Sequence, residues 1–589
     1  MTGNSEPMRH SLWHGFHDSV NRRNGLQWLQ FGDISCLNEQ LGSRLPELPE
    51  VEMKSERRGL VLIFLVLLLS AALGGIYGQN VRATARSYDD AQISVRDFTR
   101  VLDAVQANYA EKVDVDKIVY EGAIPGMLRM LDPHSNFFDA RQWALNREEV
   151  RGRYYGVGMS VIARGEHTVV LSPFVGTPAY KAGIRPGDVI VSVDDKSAQG
   201  VSSVEIADLL RGARGTSVKI TVSREGYAEP LVFTVMRDEI PHHVVELAFE
   251  IKPGIGYIRL SGFNEKTDSE LGEAMKQLNA SSLDGLILDM RGNPGGLLDE
   301  AIAVSDMLLD KNQLIVSHRG RASAERRYYA VRGNRGNNMP LVILVNNNSA
   351  SATEIVAGSV QDHDRGVIVG ETTFGKGLVQ TVQPLSENTG LALTIARYYT
   401  PSGRLIQRDY KSVSLYEYHY ERKVPERPTE VRLTDSGRQV TGGGGIAPDI
   451  TVHEPQLNHF QLALLRSDVF YPFENSVGGF TRHYLAKRPT ITKDFVVDDA
   501  VMTDFRRFLA SRNVRYTEPD LAENLDWVRR KIKQEVFVST FGQQEGFKVQ
   551  LEADPQLIAA VDAVPQARAL YASARKIMAE RAGAPTYRP

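Results

Sequence analysis

Cysteine is nearly absent. Cys36 is the one thiol in 589 residues, which excludes an intrachain disulfide framework, a CxxC redox pair and a cysteine-based zinc site. An excess of charge is missing too: 69 Lys plus Arg stand against 72 Asp plus Glu, a net charge of −3. No global field therefore draws the chain to nucleic acid or another polyanion. The 13 histidines lack metal-ligand spacing, there is no HExxH, and no Gly-rich loop ends in GKS or GKT. Neither a metal nor a cofactor is expected. There is no internal repeat of 20–50 residues. What is present is an ordinary globular composition, 42% hydrophobic, 24% charged and 8% aromatic, in a chain long enough for about four folded units.

From Gly59 to Val81 the only ionisable side chain is Tyr77, and the centre reads Leu60-Val61-Leu62-Ile63-Phe64-Leu65-Val66-Leu67-Leu68-Leu69. As a helix this run spans about 34 Å, enough to cross a bilayer. Arg57 and Arg58 precede it, so the positive-inside rule leaves residues 1–58 in the cytoplasm and the bulk of the chain outside. Met53 opens a complete signal-anchor pattern. Residues 1–52 are then an upstream extension, unless 1–58 is a short cytoplasmic tail. No small-x-small site adjoins the apolar run, which favours a retained anchor over a cleaved signal.

Beyond the run, Val95, Phe98, Leu102, Val105 and Tyr109 recur at helical spacing, as do Ile124, Met127, Leu128 and Leu131. From Tyr154 to Arg237 short β-rich stretches alternate with turn pairs such as Pro186-Gly187, with one evident helix at Ser203 to Arg211. After residue 243 apolar strands alternate with amphipathic helices. Leu286-Ile287-Leu288 and Leu341-Val342-Ile343-Leu344-Val345 read as strands buried on both faces of a layered α/β domain. Residues 408–445 are polar, end in four glycines, and read as a loop excursion. Leu521, Leu525, Val528, Ile532 and Val536 mark a helical carboxy-terminal region in which Asp554-Pro555 forms a cap.

Three segments carry candidate chemistry. Asp289-Met290-Arg291-Gly292-Asn293-Pro294-Gly295-Gly296 joins a buried strand to a helix. Its exposed N–H groups could hold an oxyanion, or it is simply a tight turn. Asn346-Asn347-Asn348-Ser349-Ala350-Ser351-Ala352-Thr353-Glu354-Ile355 occupies a second such junction. A serine there presents its hydroxyl at the carboxyl edge of the sheet; alternatively Ser351 or Thr353 is a helix cap, with Ser351 and Glu354 forming a capping box. In Phe374-Gly375-Lys376-Gly377-Leu378-Val379-Gln380, burial would disfavour the charged amine and leave a general base. The other reading is a surface lysine in a β-turn.

In this order and spacing, DMRGNPGG, NNNSASATEI and TFGKGLVQ resemble the signature of the carboxyl-terminal processing serine peptidases. Leu131-Asp132-Pro133-His134-Ser135, Thr400-Pro401-Ser402-Gly403-Arg404 and Gly445-Ile446-Ala447-Pro448-Asp449-Ile450 are further family-like runs. The similarity covers about residues 90–452. The family's serine-to-lysine spacing implies Ser351, rather than Ser349, as nucleophile and Lys376 as base. Gln380 matches the glutamine that orients the lysine. On a straight strand positions four apart lie about 13 Å from each other, so that contact requires the backbone to curl. The resemblance also implies an oxyanion hole from the N–H groups of Ala352 and of Gly296 or Gly295. Asn347-Asn348 and Thr353 depart mildly from the family pattern, and neither removes a catalytic group.

Residues 154–237 resemble a PDZ module, with Tyr155, Gly156, Val157 and Gly158 in the carboxylate-binding loop. Consecutive N–H groups there would receive a peptide's terminal carboxylate while a strand edge pairs with the peptide. The two glycines alone would fit a β-bulge. A Ser-His-Asp reading through His363, beside Asp362 and Asp364, has only sequence adjacency behind it.

The expected fold class is therefore α/β multidomain. It has a tail or extension at 1–58, a transmembrane signal anchor at 59–81, a helical region at 90–150, a PDZ domain at 151–238, a crotonase-like Ser/Lys peptidase core at 239–454 and a helical region at 455–589. The expected function is a membrane-anchored serine endopeptidase, single-pass in the cell inner membrane with its catalytic part on the periplasmic side. Its substrates would be proteins recognised by their carboxyl termini. The carboxy-terminal helices would pack on the core, form a homo-oligomer or bind an adaptor. The rival readings are a catalytically inactive PDZ scaffold and a crotonase-type enzyme acting on acyl thioesters, which would leave the PDZ module unexplained.

Overall fold

The computed structural model describes residues 65–66, 68–69, 92–224, 226–421, 430–467, 469–470, 479–488 and 490–583. The expected tail or extension at 1–58 and most of the apolar run at 59–81 lie outside these residues; of the run, Leu65, Val66, Leu68 and Leu69 are helical. Among the described residues no helix is long and apolar enough to cross a membrane. The chain divides into two units, Met1–Val113 and Asp114–Pro589. The first contributes a helix over 92–108.

In the second unit, a six-stranded sheet forms the β-domain, with Met159–Arg164, His167–Pro173, Val189–Val193, Ser217–Ser223 and Leu231–Met236 in that order and the short Lys196–Ser197 paired to Val189–Val193. Alternation builds it: Val218, Ile220 and Val222 are buried while Lys219 points to solvent. The helix Ser203–Leu210 begins on a capping box between Ser202 and Glu205. Met159–Arg164 is an edge strand, paired only with His167–Pro173.

The larger α/β domain is built on a six-stranded sheet ordered Val245–Lys252, Ile255–Leu260, Gly285–Asp289, Leu341–Val345, Val367–Gly370 and Ile450–Thr451. All neighbours are parallel except the first pair. Leu286, Leu288, Leu341, Ile343 and Val345 face a core shared with the helices Thr267–Gln277, Leu298–Leu308 and Ala352–Asp362. Ile287, Val342, Leu344, Val367 and Val369 face the opposite way, against Leu557, Ala560, Val561, Val564 and Ala567 of the helices Pro555–Asp562 and Val564–Gly583. These two helices therefore form one layer of the α/β domain. Close approach is built in, since a Cβ on Gly285 would lie 2.5 Å from Val564.

A second sheet carries Leu378–Pro384 against Gly390–Tyr399, which also pairs with Asn136–Phe138 and Leu314–Arg319. The polar stretch after residue 408 contains a hairpin, Glu430–Leu433 with Gln439–Gly442, and a helical turn at Glu417–Glu421. Helices between His459 and Leu551 enclose a separate aromatic core that includes Phe470, Phe480 and Phe505.

Candidate active site

The three segments singled out in the sequence meet at one end of the parallel sheet. Asp289, wholly buried at a strand end, pairs with Arg291 at 2.6 Å and accepts from the Tyr257 hydroxyl at 2.7 Å. Arg291 reaches on to Asp554 at 2.7 Å and Gln556 at 2.8 Å, so the Gly-rich turn is moored to the helix cap at Asp554-Pro555. Asn293 stitches this turn to the next. Its carbonyl accepts from the Ala350 N–H and the Thr353 hydroxyl, both at 3.0 Å, and its side-chain oxygen accepts from the Gly295 N–H at 2.9 Å.

Ser351 caps the helix Ala352–Asp362 with φ 55° and ψ −112°, a backbone state that costs a non-glycine residue about 1–3 kcal/mol and persists only where its surroundings enforce it. Gly295 supplies part of that enforcement, because a Cβ on it would lie 2.8 Å from both Ala352 N and Ser351 Cβ. Ser349 is committed elsewhere: it is buried and its hydroxyl donates to the Met290 carbonyl at 2.8 Å.

Glu354 is the hub. Its buried carboxylate accepts from the N–H of Ser351 at 2.8 Å, of Gly375 at 2.7 Å and of Lys376 at 2.8 Å, and from the Thr373 hydroxyl at 2.5 Å. Tyr398 adds a second link, donating to the Lys376 carbonyl at 2.6 Å and the Ser351 carbonyl at 3.1 Å. The Lys376 amine donates to Gln380 Oε1 at 3.0 Å and is not hydrogen-bonded to the Ser351 hydroxyl. Gln380 Nε2 donates to the His134 carbonyl at 2.6 Å. Asp132 shapes that segment by accepting from the N–H of His134 and Ser135, both at 2.8 Å. Burial lowers the Lys376 amine below its ordinary value, with Glu354 and Asp132 partly offsetting the effect. Burial, and then Lys376, push His134 down to about 3, so its ring is neutral beside the Tyr418 hydroxyl at 2.8 Å.

Ser351, Ala352, Lys376, Gln380, Gly295 and Gly296 all line one cleft of about 410 Å³. The Gly295 N–H is taken by Asn293, whereas those of Gly296 and Ala352 have no partner among the described residues. A Cβ on Gly296 would meet the Phe263 carbonyl oxygen at 2.0 Å.

In the β-domain, Gly158 lies at φ 79° and a Cβ there would meet Thr177 at 2.4 Å. Gly156, Val157 and Gly158 line a small pocket between the edge strand and the helix Ser203–Leu210. Tyr155 departs from expectation. Its strand, Arg153–Gly156, pairs with Asp238–Pro241, its hydroxyl bonds Glu239 at 3.4 Å, and Tyr154 lines the pocket in its place.

The model of peptidase family S41 matches residues 254–412 and that of the PDZ domain residues 169–224. The carboxy-terminal-processing protease of Bartonella bacilliformis is 42% identical over 315 residues, covering 53% of this chain and 72% of that relative. The chain belongs to peptidase family S41. It is a serine-type peptidase of the carboxy-terminal processing group with a PDZ domain. Carboxy-terminal processing protease CtpA of Bacillus subtilis is 34% identical over 365 residues, with 60% of this chain and 76% of the relative covered. The chloroplastic C-terminal processing peptidase of Tetradesmus obliquus is 35% identical over 341 residues, with 55% and 72% covered.

Two further site features of this S41 peptidase concern residues read otherwise in the sequence. His363 is not a triad member: its Nδ1 bonds Asp435 and its Nε2 the Leu314 carbonyl, both at 2.7 Å, leaving no ring nitrogen for Ser351. Asp362 and Asp364 are engaged by Arg404 and Arg438. The Ser351–Glu354 pairing, legible as a capping box, extends to the backbone of the lysine loop. Nothing local in the sequence signals that reach.

Proposed function

We propose that the cleft cleaves peptide bonds of extracytoplasmic proteins by a Ser–Lys mechanism, on a core we read as crotonase-like, after the PDZ groove has received the substrate's carboxyl terminus. One observation carries this reading: a single buried carboxylate, Glu354, accepts from the N–H of both Ser351 and Lys376, which ties nucleophile and base to one fixed point.

The steps follow from the groups present. Neutral Lys376 takes the proton of the Ser351 hydroxyl as Oγ forms a bond to the scissile carbonyl carbon. The oxyanion is received by the N–H groups of Ala352 and Gly296, and losing one such donor costs about 3 kcal/mol in the transition state. Lysinium then gives its proton to the leaving amine as the C–N bond breaks. Water, deprotonated by Lys376, hydrolyses the acyl-serine and restores the hydroxyl. Gln380 Oε1 orients the amine by accepting one of its N–H groups.

Anchoring in the inner membrane, with the catalytic part on its periplasmic side, is supported by the apolar run at 59–81 and the arginines before it. Fractionation with and without residues 1–81 tests it: release of the full chain from membranes by salt alone would refute it. For the chemistry, Ser351→Ala and Lys376→Ala should each lower peptide cleavage by at least about 100-fold with unchanged thermal unfolding. Undiminished turnover in Lys376→Ala would reject the base. A reactive-serine probe that fails to label Ser351 would favour the scaffold reading.

A further inference from the structure

The polar excursion after residue 408 sends one side chain back behind the lysine loop. In its helical turn Glu417–Glu421 the Tyr418 ring is 1% exposed, whereas the nearby Tyr416 and Tyr420 are 65% and 74% exposed. The buried ring packs edge to face on Phe374, two residues before Lys376, at 5.6 Å between centroids. Arg408 lies over both rings, 4.5 Å from that of Phe374 and 4.7 Å from that of Tyr418, and donates to the Tyr418 carbonyl.

The Tyr418 hydroxyl joins two further contacts. It accepts from Gln407 Nε2 at 3.2 Å; the same amide gives its other N–H to the Arg408 carbonyl at 2.8 Å and accepts from the Gly377 N–H at 2.8 Å. Because Gln407 donates into the phenol oxygen, the phenol's own proton is free to go to His134 Nε2, 2.8 Å away. Burial pushes the Tyr418 phenol up to about 12, so it keeps that proton near neutral pH, and the His134 ring is neutral and can accept it. The carbonyl of the same His134 receives Gln380 Nε2 at 2.6 Å, and Gln380 Oε1 receives the Lys376 amine at 3.0 Å.

We propose that Tyr418 is a positioning residue for the Ser–Lys reaction: its hydroxyl fixes the turn at His134, and through it the glutamine that orients the Lys376 amine. This rests on reading Lys376 as the base, and adds to that reading a support from the excursion, outside the three motif segments. Without the hydroxyl, His134 Nε2 loses its partner and the turn loses one of its two ties, the other being Asp132 beneath the His134 and Ser135 N–H groups. The carbonyl that holds Gln380 belongs to that turn. A displacement of about 1 Å at a reacting group can cost about 100-fold in rate; with Asp132 still in place, the loss here is smaller.

The test assays the full chain on a fluorogenic peptide. Tyr418→Phe keeps the ring, its packing on Phe374 and the Arg408 contact, and removes only the hydroxyl. Its kcat should fall about tenfold while KM stays within about twofold of the parent and the thermal unfolding midpoint stays within a few degrees. A ring that merely filled space would leave kcat unchanged in this variant. Since the hydroxyl acts through Gln380, adding Tyr418→Phe to Gln380→Ala should cost less than about twofold more, read in single turnovers with enzyme in excess. Where Gln380→Ala has no turnover left to lose, the single variant decides. Full kcat in Tyr418→Phe, or a further tenfold loss in the double variant, overturns the proposal while the Ser–Lys reading stands. Undiminished turnover in Lys376→Ala removes that reading, and this inference with it.

Discussion

Lys376 Nζ sits 3.0 Å from Gln380 Oε1 although the residues are four apart along one extended segment. The ladder is irregular beside this contact. Against Gly390–Tyr399, Val379 faces Ala396 but Gln380 faces Thr394, so Ile395 is the extra residue on the partner strand and the register slips by one between Val379 and Gln380. The amine is fixed by Gln380 and, through the His134 carbonyl that Gln380 holds, by a turn more than 200 residues earlier.

The lowered Lys376 value carries a pH prediction. In the proposed mechanism the neutral amine is the active form, so kcat/KM should rise with pH through a value below 10.5 and then level off. Gln380→Glu would place a carboxylate beside the amine and favour its charged form. The acid limb should then move upward by about 1–3 pH units, as read from pH–rate profiles of the two proteins. An unmoved limb would mean that Lys376 is not the titrating base.

Glu354→Gln tests the hub. An amide cannot accept from all four donors that the carboxylate serves, and its NH2 must face one of them. We expect a stability loss of about 2–3 kcal/mol by denaturant unfolding and a fall in kcat of at least about 100-fold from misplacement of Ser351 and Lys376.

Gly296 and Gly292 form a contrasting pair. Gly296→Ala brings a Cβ to 2.0 Å from the Phe263 carbonyl, whereas Gly292→Ala, at φ 72°, meets nothing within 4 Å. The first should cost about 3 kcal/mol and abolish cleavage. The second should cost about 1 kcal/mol of backbone strain and spare kcat. Thermal unfolding and turnover separate the two.

His363 supplies a stability signature. Burial opposes its charge, but Asp435 and the Leu314 carbonyl outweigh it, so its value is raised above 6.5. The folded state then holds the proton more tightly than the unfolded chain. The stabilisation is fully present below about pH 6.5 and is lost as pH rises through the higher folded-state value. His363→Gln should flatten that decline in urea titrations across this window.

Much of the site was legible because Ser351 and Lys376 each follow an apolar run that could only be a buried strand, and strand ends of a parallel sheet gather at one edge. The choice between Gly295 and Gly296 was not, since it depends on where the Asn293 side chain turns. The reach of Glu354 to a loop about twenty residues onward and the substitution of Tyr154 for Tyr155 in the groove depend on tertiary placement. The carboxy-terminal region showed amphipathic faces without partners. Its final helices find theirs on a sheet some 200 residues earlier, a pairing that periodicity cannot name.

That pairing bears on when the enzyme can first act. The helices Pro555–Asp562 and Val564–Gly583 are synthesised after the strands they cover at Ile287, Val342 and Val369, and the Asp554 cap and Gln556 hold Arg291. Until they are made, that sheet face lacks its cover and the Gly-rich turn lacks these partners. The scaffold around Ser351 is thus completed only by residues more than 200 positions further along the chain.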